Sequence, residues 1–278
     1  MEKISVPQSL RNKMEFHSSY CELHTYFRGK EELVNPIQKM VVNGNIVCPR
    51  CEVEKETRKL EEAEKERYRQ LLQREKYNLL YNQSVFLDET IKEATLDNYK
   101  AAIPEERNNK QTIMECLKRL KEGEVFNIIF QGNPGAGKSH LAYGLLRELN
   151  ESGKTTSLFV SIESMIRLIK ETFNNKSSKY TEQYFIDLLS SVDYLALDDL
   201  GAETGAINTD KSATDFVQRV LYAVATSRQN KPTFITMNLT GQTLFKMYDS
   251  KLVSRLLKKP KYILFKETQD KRITEVPF

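Results

Sequence analysis

Net charge is small for a chain of this size: 42 basic against 38 acidic residues leave a formal +4 over 278 residues. That balance excludes a uniformly basic coat, so any nucleic-acid surface must be local. No apolar run approaches the ~20 residues of a membrane-spanning helix. The N-terminus Met1-Glu2-Lys3-Ile4-Ser5-Val6 lacks the apolar core of a secretory signal. These absences predict a cytoplasmic protein, in a compartment where disulfides are rare. Cysteine is scarce as well, with four in the chain, yet three of them fall before residue 52. What remains is an ordinary apolar content and a length suited to one large or two modest domains.

The most specific stretch is Gly132-Asn133-Pro134-Gly135-Ala136-Gly137-Lys138-Ser139. It fits the phosphate-binding pattern G-x-x-x-x-G-K-[ST] at every fixed position. Glycines let the backbone turn tightly and aim its N–H groups at phosphate oxygens. In that pattern Lys138 reaches the β- and γ-phosphates, and the Ser139 hydroxyl holds Mg²⁺. The context fits too. Phe126 to Phe130 has strand composition, and His140 to Asn150 carries Leu141, Leu145 and Leu149 on one helical face. His140 opens that helix, whose N-terminus adds partial positive charge at the phosphates.

The early cysteines form two pairs. Cys21-Glu22-Leu23-His24 and Cys48-Pro49-Arg50-Cys51 give C-x₂-H, a linker of 23 residues, then C-x₂-C. Two tight pairs separated by a loop suit tetrahedral Zn²⁺ in a closed structural site. A segment this small needs such a staple to fold. The competing reading is a reduced thiol pair beside an unrelated Cys and His; His17 is a secondary alternative to His24. Cys116 lies within an amphipathic helix and reads as a buried small residue.

From Glu52 to about Asn82 there is neither Gly nor Pro, and acidic and basic residues interleave. The spacing predicts a solvated helix supported by i,i+4 pairs, serving as a connector or as a docking surface for a partner. No heptad register persists long enough for a coiled coil.

Beyond it, apolar strands alternate with helices. Asn109 to Lys121 reads as a helix. Strands follow at Phe126–Phe130, Thr155–Val160, Val192–Leu197, Pro232–Asn238 and Tyr262–Phe265, with a long helix capped at Thr209 between the third and fourth. Five such strands imply a three-layer α/β sandwich with a parallel sheet. The third ends in Asp198-Asp199, at the strand edge where open α/β sheets bind ligands. Asp198 would enter the Mg²⁺ shell, and Asp199 would orient or deprotonate the attacking water. Asn238 ends the fourth strand at the same edge, placed to position the water or touch the γ-phosphate. Arg255 sits on a basic helix, either as a surface group or as an arginine finger for a neighbouring subunit's site.

These residues resemble a known group. The phosphate loop, Asp198-Asp199-Leu200-Gly201-Ala202-Glu203, Thr236-Met237-Asn238 and Ser254-Arg255 are similar to the AAA+ ATPases of the DnaC/DnaI/IstB group. Thr95-Leu96-Asp97-Asn98-Tyr99 is similar to the segment that precedes the ATPase domain there. A zinc module joined by a helix points to DnaI-type helicase loaders, phage-encoded ones included. The resemblance implies an AAA+ P-loop fold with sheet order 5-1-4-3-2. It implies residues 1–51 as a helicase-interaction module, 52–90 as a charged linker and 91–278 as the ATPase. Asn238 matches the first sensor and Arg255 the arginine finger. Many AAA+ proteins carry Glu where Asp199 stands, so slow hydrolysis is expected. Little chain follows Phe265 for a C-terminal lid, which leaves Arg272 unassigned as a second sensor.

The implied function is ATP-dependent loading of a hexameric replicative helicase onto single-stranded DNA, with self-association through the ATPase domain. Basic residues suited to DNA are Lys251, Arg255, Lys258, Lys259 and Lys261, with Lys176 and Lys179 elsewhere. Two other readings stay open: an IstB-type transposition helper, and a nucleotide-switched adaptor with negligible turnover.

Overall fold

Short strands build three sheets in this chain, in a computed structural model that describes residues 15–24, 26–28, 32–34, 36–204 and 212–272. Backbone contacts divide the chain between Leu71 and Leu72.

The first unit is small and mostly β. Strands β1 (Glu15–Tyr20), β2 (Tyr26–Arg28), β3 (Glu32–Val34), β4 (Gln38–Val42) and β5 (Asn45–Val47) form an antiparallel sheet β1-β4-β5 and a separate β2-β3 pair. The β4–β5 hairpin turns on Asn43 and Gly44, both with positive φ (50° and 78°). Such a two-residue Asn-Gly turn matches the twist of the strands it joins. Helix α1 (Pro49–Gln83) then begins within the second cysteine pair. Its mixed charges keep nearly the whole surface solvated, as expected from the sequence. Leu80 is its one fully buried residue.

The second unit starts within that helix. Gln73 donates to the Ser152 carbonyl (2.6 Å), the Asn150 amide donates to the Tyr77 carbonyl (2.8 Å), and Leu80 enters the core. Val85 then pairs with the sheet edge through Val85 N–H to Phe159 O (2.9 Å) and Ser161 N–H to Val85 O (2.8 Å). Helix α2 (Pro104–Lys121) starts earlier than periodicity predicted, with Pro104 at its first turn.

The central sheet comprises β6 (Asn127–Gly132), β7 (Ser157–Ser161), β8 (Tyr194–Leu200), β9 (Thr233–Met237) and β10 (Pro260–Phe265). All neighbours are parallel, in the order β10-β6-β9-β8-β7. Numbered among themselves, these strands run 5-1-4-3-2, as the family resemblance implied. Both faces are covered. Ile128, Phe130, Phe159, Phe234 and Phe265 pack toward α2 and α3 (Lys138–Asn150). Ile129, Leu158, Val160, Leu197 and Ile235 pack toward α4 (Ile162–Glu171), α5 (Glu182–Ser191) and α6 (Asp215–Ser227). Period-two alternation thus feeds two cores, one per face.

Helix α6 begins at Asp215, where the Thr214 hydroxyl accepts from Val217 N–H. The expected cap at Thr209 lies outside the described residues. Helices α7 (Gly241–Met247) and α8 (Ser250–Leu256) lead into β10. Among the described residues no helix is long and apolar enough to cross a membrane.

Candidate nucleotide site and metal centre

The turn from β6 into α3 is made by glycines in the left-handed region: Gly135 has φ 71° and Gly137 has φ 89°. A side chain at Gly137 would also strike the Tyr99 ring, 2.7 Å from an added Cβ. Lys138 is buried and folds back over the loop. Its ammonium donates to the carbonyls of Gly132 (2.9 Å) and Asn133 (2.7 Å). Burial pulls its pKa down to about 8, opposed by the charges of Asp199 and Asp198. A lysine held by two carbonyls at the mouth of a glycine loop, with two carboxylates lining the same cavity, suits an anionic phosphate. His140 does not face open solvent. Its Nε2 stands 3.0 Å from the Thr95 carbonyl, and burial lowers its pKa, so it is neutral and donates to that carbonyl.

The acidic pair depends on a break in strand regularity. Successive strand residues point to opposite faces, so Asp198 and Asp199 should diverge. Yet both line one cavity. The reason is a register shift between Leu197 and Leu200 against β9, with Asp199 at φ 58°. Aspartate is among the few non-glycine residues that tolerate this region. Thr236 pins the break: its hydroxyl donates to Asp198 Oδ1 (2.7 Å) and accepts from Asp199 N–H (2.8 Å). Burial raises Asp198 to about 6, against hydrogen bonds from Ser139 and Thr236. Burial also raises Asp199, against Lys138 and Arg272.

The cavity has a volume of about 460 Å³. Pro134, Gly135, Gly137, Lys138, Ser139 and His140 line it from the loop, with Asp198, Asp199, Thr236 and Asn238 at the sheet edge. Gly132, Asn133 and Ala136 shape the loop behind this lining. Ser139 and Asp198 line the same cavity, an oxygen pair suited to Mg²⁺, and the glycine-turned loop suits a polyphosphate.

Two further walls carried no assigned role in the sequence reading. Leu87, Asp88, Thr90, Ile91, Asn98 and Tyr99 close one side. Across the loop, the chain after β10 returns as a strap. Glu105 anchors it by accepting from the N–H groups of Lys266 (2.9 Å) and Thr268 (3.0 Å) and from the Thr268 hydroxyl (2.7 Å). Lys271 N–H donates to the Gly135 carbonyl (3.0 Å), and its ammonium pairs with buried Glu106 (2.9 Å). Arg272, left unassigned by the sequence, pairs with Asp270 (3.2 Å) and lines the cavity. Asn98 and Tyr99 belong to the segment whose resemblance the sequence shows, but both walls come together only when distant segments meet at the loop.

Arg255 lies elsewhere. It stacks over Tyr222, 4.5 Å from the ring centre, beside Asn127 at the start of β6, whereas the phosphate loop follows the end of that strand. The structure therefore does not bring Arg255 to the chain's own cavity.

In the first unit Cys21, His24, Cys48 and Cys51 converge, with all ligand atoms within 4.8 Å of one another. His24 Nδ1 stands 3.5, 3.7 and 3.4 Å from the sulfurs of Cys21, Cys48 and Cys51. Ligands around a tetrahedral zinc stand roughly 3.4–3.8 Å apart, so the set fits the ion. The other histidine nitrogen, Nε2, faces Glu54 at 2.9 Å. That carboxylate fixes the tautomer that leaves Nδ1 free to bind metal. Glu54 was not among the expected residues, although its position one turn along α1 from Cys51 is a signal. Burial and the neighbouring thiols push Cys51 up to about 11, so the cluster resists multiple thiolates without a cation. His17 bonds Ser19 instead, at 2.7 Å.

No family model matches the chain. Its relatives are nonetheless consistent. The replicative helicase loader DnaC of Escherichia coli K12 is 25% identical over 162 residues, 58% of this chain and 62% of that protein. DnaC of Buchnera aphidicola from Acyrthosiphon pisum is 34% identical over 113 residues, 40% of this chain and 44% of that protein. The match to the E. coli protein thus spans under two thirds of the relative's length. Among solved structures, the DnaC helicase loader superposes with TM-score 0.53 at 21% identity, over 64% of this chain and 99% of that one. DnaI gives TM-score 0.51 at 22% identity, over 64% and 95%. The chain is homologous to the DnaC helicase loaders over this region, and its sheet has the AAA+ fold that DnaC and DnaI share.

Proposed function

We propose that this chain is an ATP-dependent loader of a hexameric replicative helicase onto single-stranded DNA. The observation that carries this is the convergence of Lys138, Ser139, Asp198, Asp199 and Asn238 on one cavity, in a chain homologous to DnaC. Lys138 balances phosphate charge. Ser139 and Asp198 would hold Mg²⁺, which supplies charge neutralisation at the phosphates. Asp199 and Asn238 orient the attacking water at the sheet edge. Arg255 completes the site of a neighbouring copy, giving assembly through the ATPase domain.

Residues 1–51 serve as the helicase-gripping module, stapled by zinc on Cys21, His24, Cys48 and Cys51; residues 52–90 link it to the ATPase at 91–278. For DNA, the basic residues Lys251, Lys258, Lys259 and Lys261 supply phosphate contacts. Lys176 and Lys179 lie near exposed Phe173 in sequence, which adds a face for base stacking. A switch with negligible turnover is the second reading, favoured by the short reach of Asp199.

The test uses the full chain with a purified replicative helicase. Co-elution with the hexamer, and ATP turnover stimulated by single-stranded DNA, are expected. No complex in any nucleotide state would sink the proposal; a complex without turnover would leave the switch.

A further inference from the structure

Asp199 keeps its place in the cavity only through a left-handed backbone, at φ 58°, which is strained for a non-glycine residue. Something must over-determine it. Thr236 does so from the N-terminal side. On the C-terminal side the chain continues through Gly201, at φ 107°, packed under Leu239. The next hydrogen bonds converge on Glu203. Its Oε2 accepts from Gly201 N–H at 2.9 Å, and its Oε1 accepts from the Tyr248 hydroxyl. Tyr248 is buried at 3% exposure, so the phenol is locked.

The position of Tyr248 adds meaning to this link. It directly precedes Asp249, whose carboxylate caps α8 by accepting from Lys251 N–H at 2.7 Å. Helix α8 carries Arg255. The turn after the acidic pair is therefore tied to the root of the arginine-bearing helix. Leu239, which packs on Gly201, also gives its carbonyl to Gln131, the residue before the phosphate loop (2.7 Å).

We propose that Glu203 and Tyr248 are positioning residues that hold Asp199 in its cavity-facing conformation and link that turn to the base of α8. The proposal rests on the hydrolytic reading only for its effect on rate. The carboxylate grips Gly201 N–H, Gly201 carries the return of the chain, and Asp199 is left with one direction to point. Without the clamp, Asp199 relaxes to an extended backbone and turns toward the opposite face from Asp198.

The experiment compares Glu203→Ala, Glu203→Gln and Tyr248→Phe in the full chain by crystal structure, ATP affinity and turnover at saturating ATP. Glutamine keeps both links, since its oxygen accepts from Gly201 and its amide donates to the phenol oxygen. In Glu203→Ala and Tyr248→Phe, Asp199 is expected to leave the left-handed region. Turnover should fall roughly 10- to 100-fold with ATP affinity within about twofold. Glu203→Gln should stay near wild type. Asp199 unmoved in both Glu203→Ala and Tyr248→Phe overturns the proposal, whatever the rates. If Glu203→Ala does not fold, Tyr248→Phe decides alone. If wild type binds ATP without hydrolysing it, the ATPase reading fails, and the position of Asp199 still decides this one.

Discussion

The Asp270 carboxylate lies directly over Gly135: a Cβ on that glycine would come within 1.7 Å of Asp270 Oδ1. An acid therefore sits on a loop built to receive anions. It is held there by Arg272, which keeps it below the usual carboxylate range and hence charged. Replacing Asp270 with Asn removes that charge from the phosphate loop. ATP affinity is expected to rise several-fold, measured with a fluorescent analogue. Gly135→Ala should do the reverse, through both the collision and a φ of 71°. An unchanged affinity in Asp270→Asn would mean that the strap does not contest the loop.

The anchor of the strap has its own pH signature. Against the cost of burial, Glu105 is held below its ordinary pKa by Thr268 and the N–H groups of residues 266–268. Glu106 is likewise lowered, by Lys271 and the N–H groups of Ala102 and Ile103. A carboxylate depressed in the folded state adds stability above its unfolded pKa of about 4.5, and that stability is lost as pH falls through the folded value. Melting temperature should drop as pH falls below about 4.5, and more shallowly in Glu105→Gln. Identical slopes in the two proteins would exclude Glu105 as the cause.

The cysteine cluster predicts one zinc per chain by elemental analysis, lost in Cys48→Ser. Glu54→Gln tests the histidine's partner. It should retain the fold while weakening zinc roughly 10- to 100-fold, read by competition with a chelator. A folded wild type free of metal would remove the zinc assignment altogether.

Arg255 and Lys138 can be tested against each other. Lys138→Ala should lose nucleotide binding. Arg255→Ala should bind normally yet hydrolyse on the order of 10³ times more slowly. Mixing the two variants pairs an intact cavity from one with the arginine of the other. Turnover should then return in part. No recovery, with both proteins folded, would place Arg255 outside any shared site.

Much of this was readable from local rules. The phosphate loop announces itself because a backbone cradle demands glycines at set spacing. The five strands show because burial on both faces demands short apolar runs. Even the sheet order followed from the resemblance those motifs support. The strands of the first unit were not readable, since β1 and β4 expose much of their surface and their alternation is weak. Helix α6 starts at Asp215, with Ser212 to Thr214 outside it, later than the pattern suggests, because propensity alone cannot say which of several threonines serves as the cap.

The sequence by itself determined which chemical groups the protein carries: a lysine, a serine and two acids for a nucleotide, and four soft ligands for a metal. Only the tertiary structure decided how they point. Asp198 and Asp199 are neighbours that a regular strand would send apart, and a left-handed residue pinned by Thr236 brings them together. Asp270, Arg272 and Tyr99 reach the loop from more than thirty residues away along the chain. Spacing encodes contacts within one turn or strand, whereas the return of a distant segment is set by packing of the whole sheet.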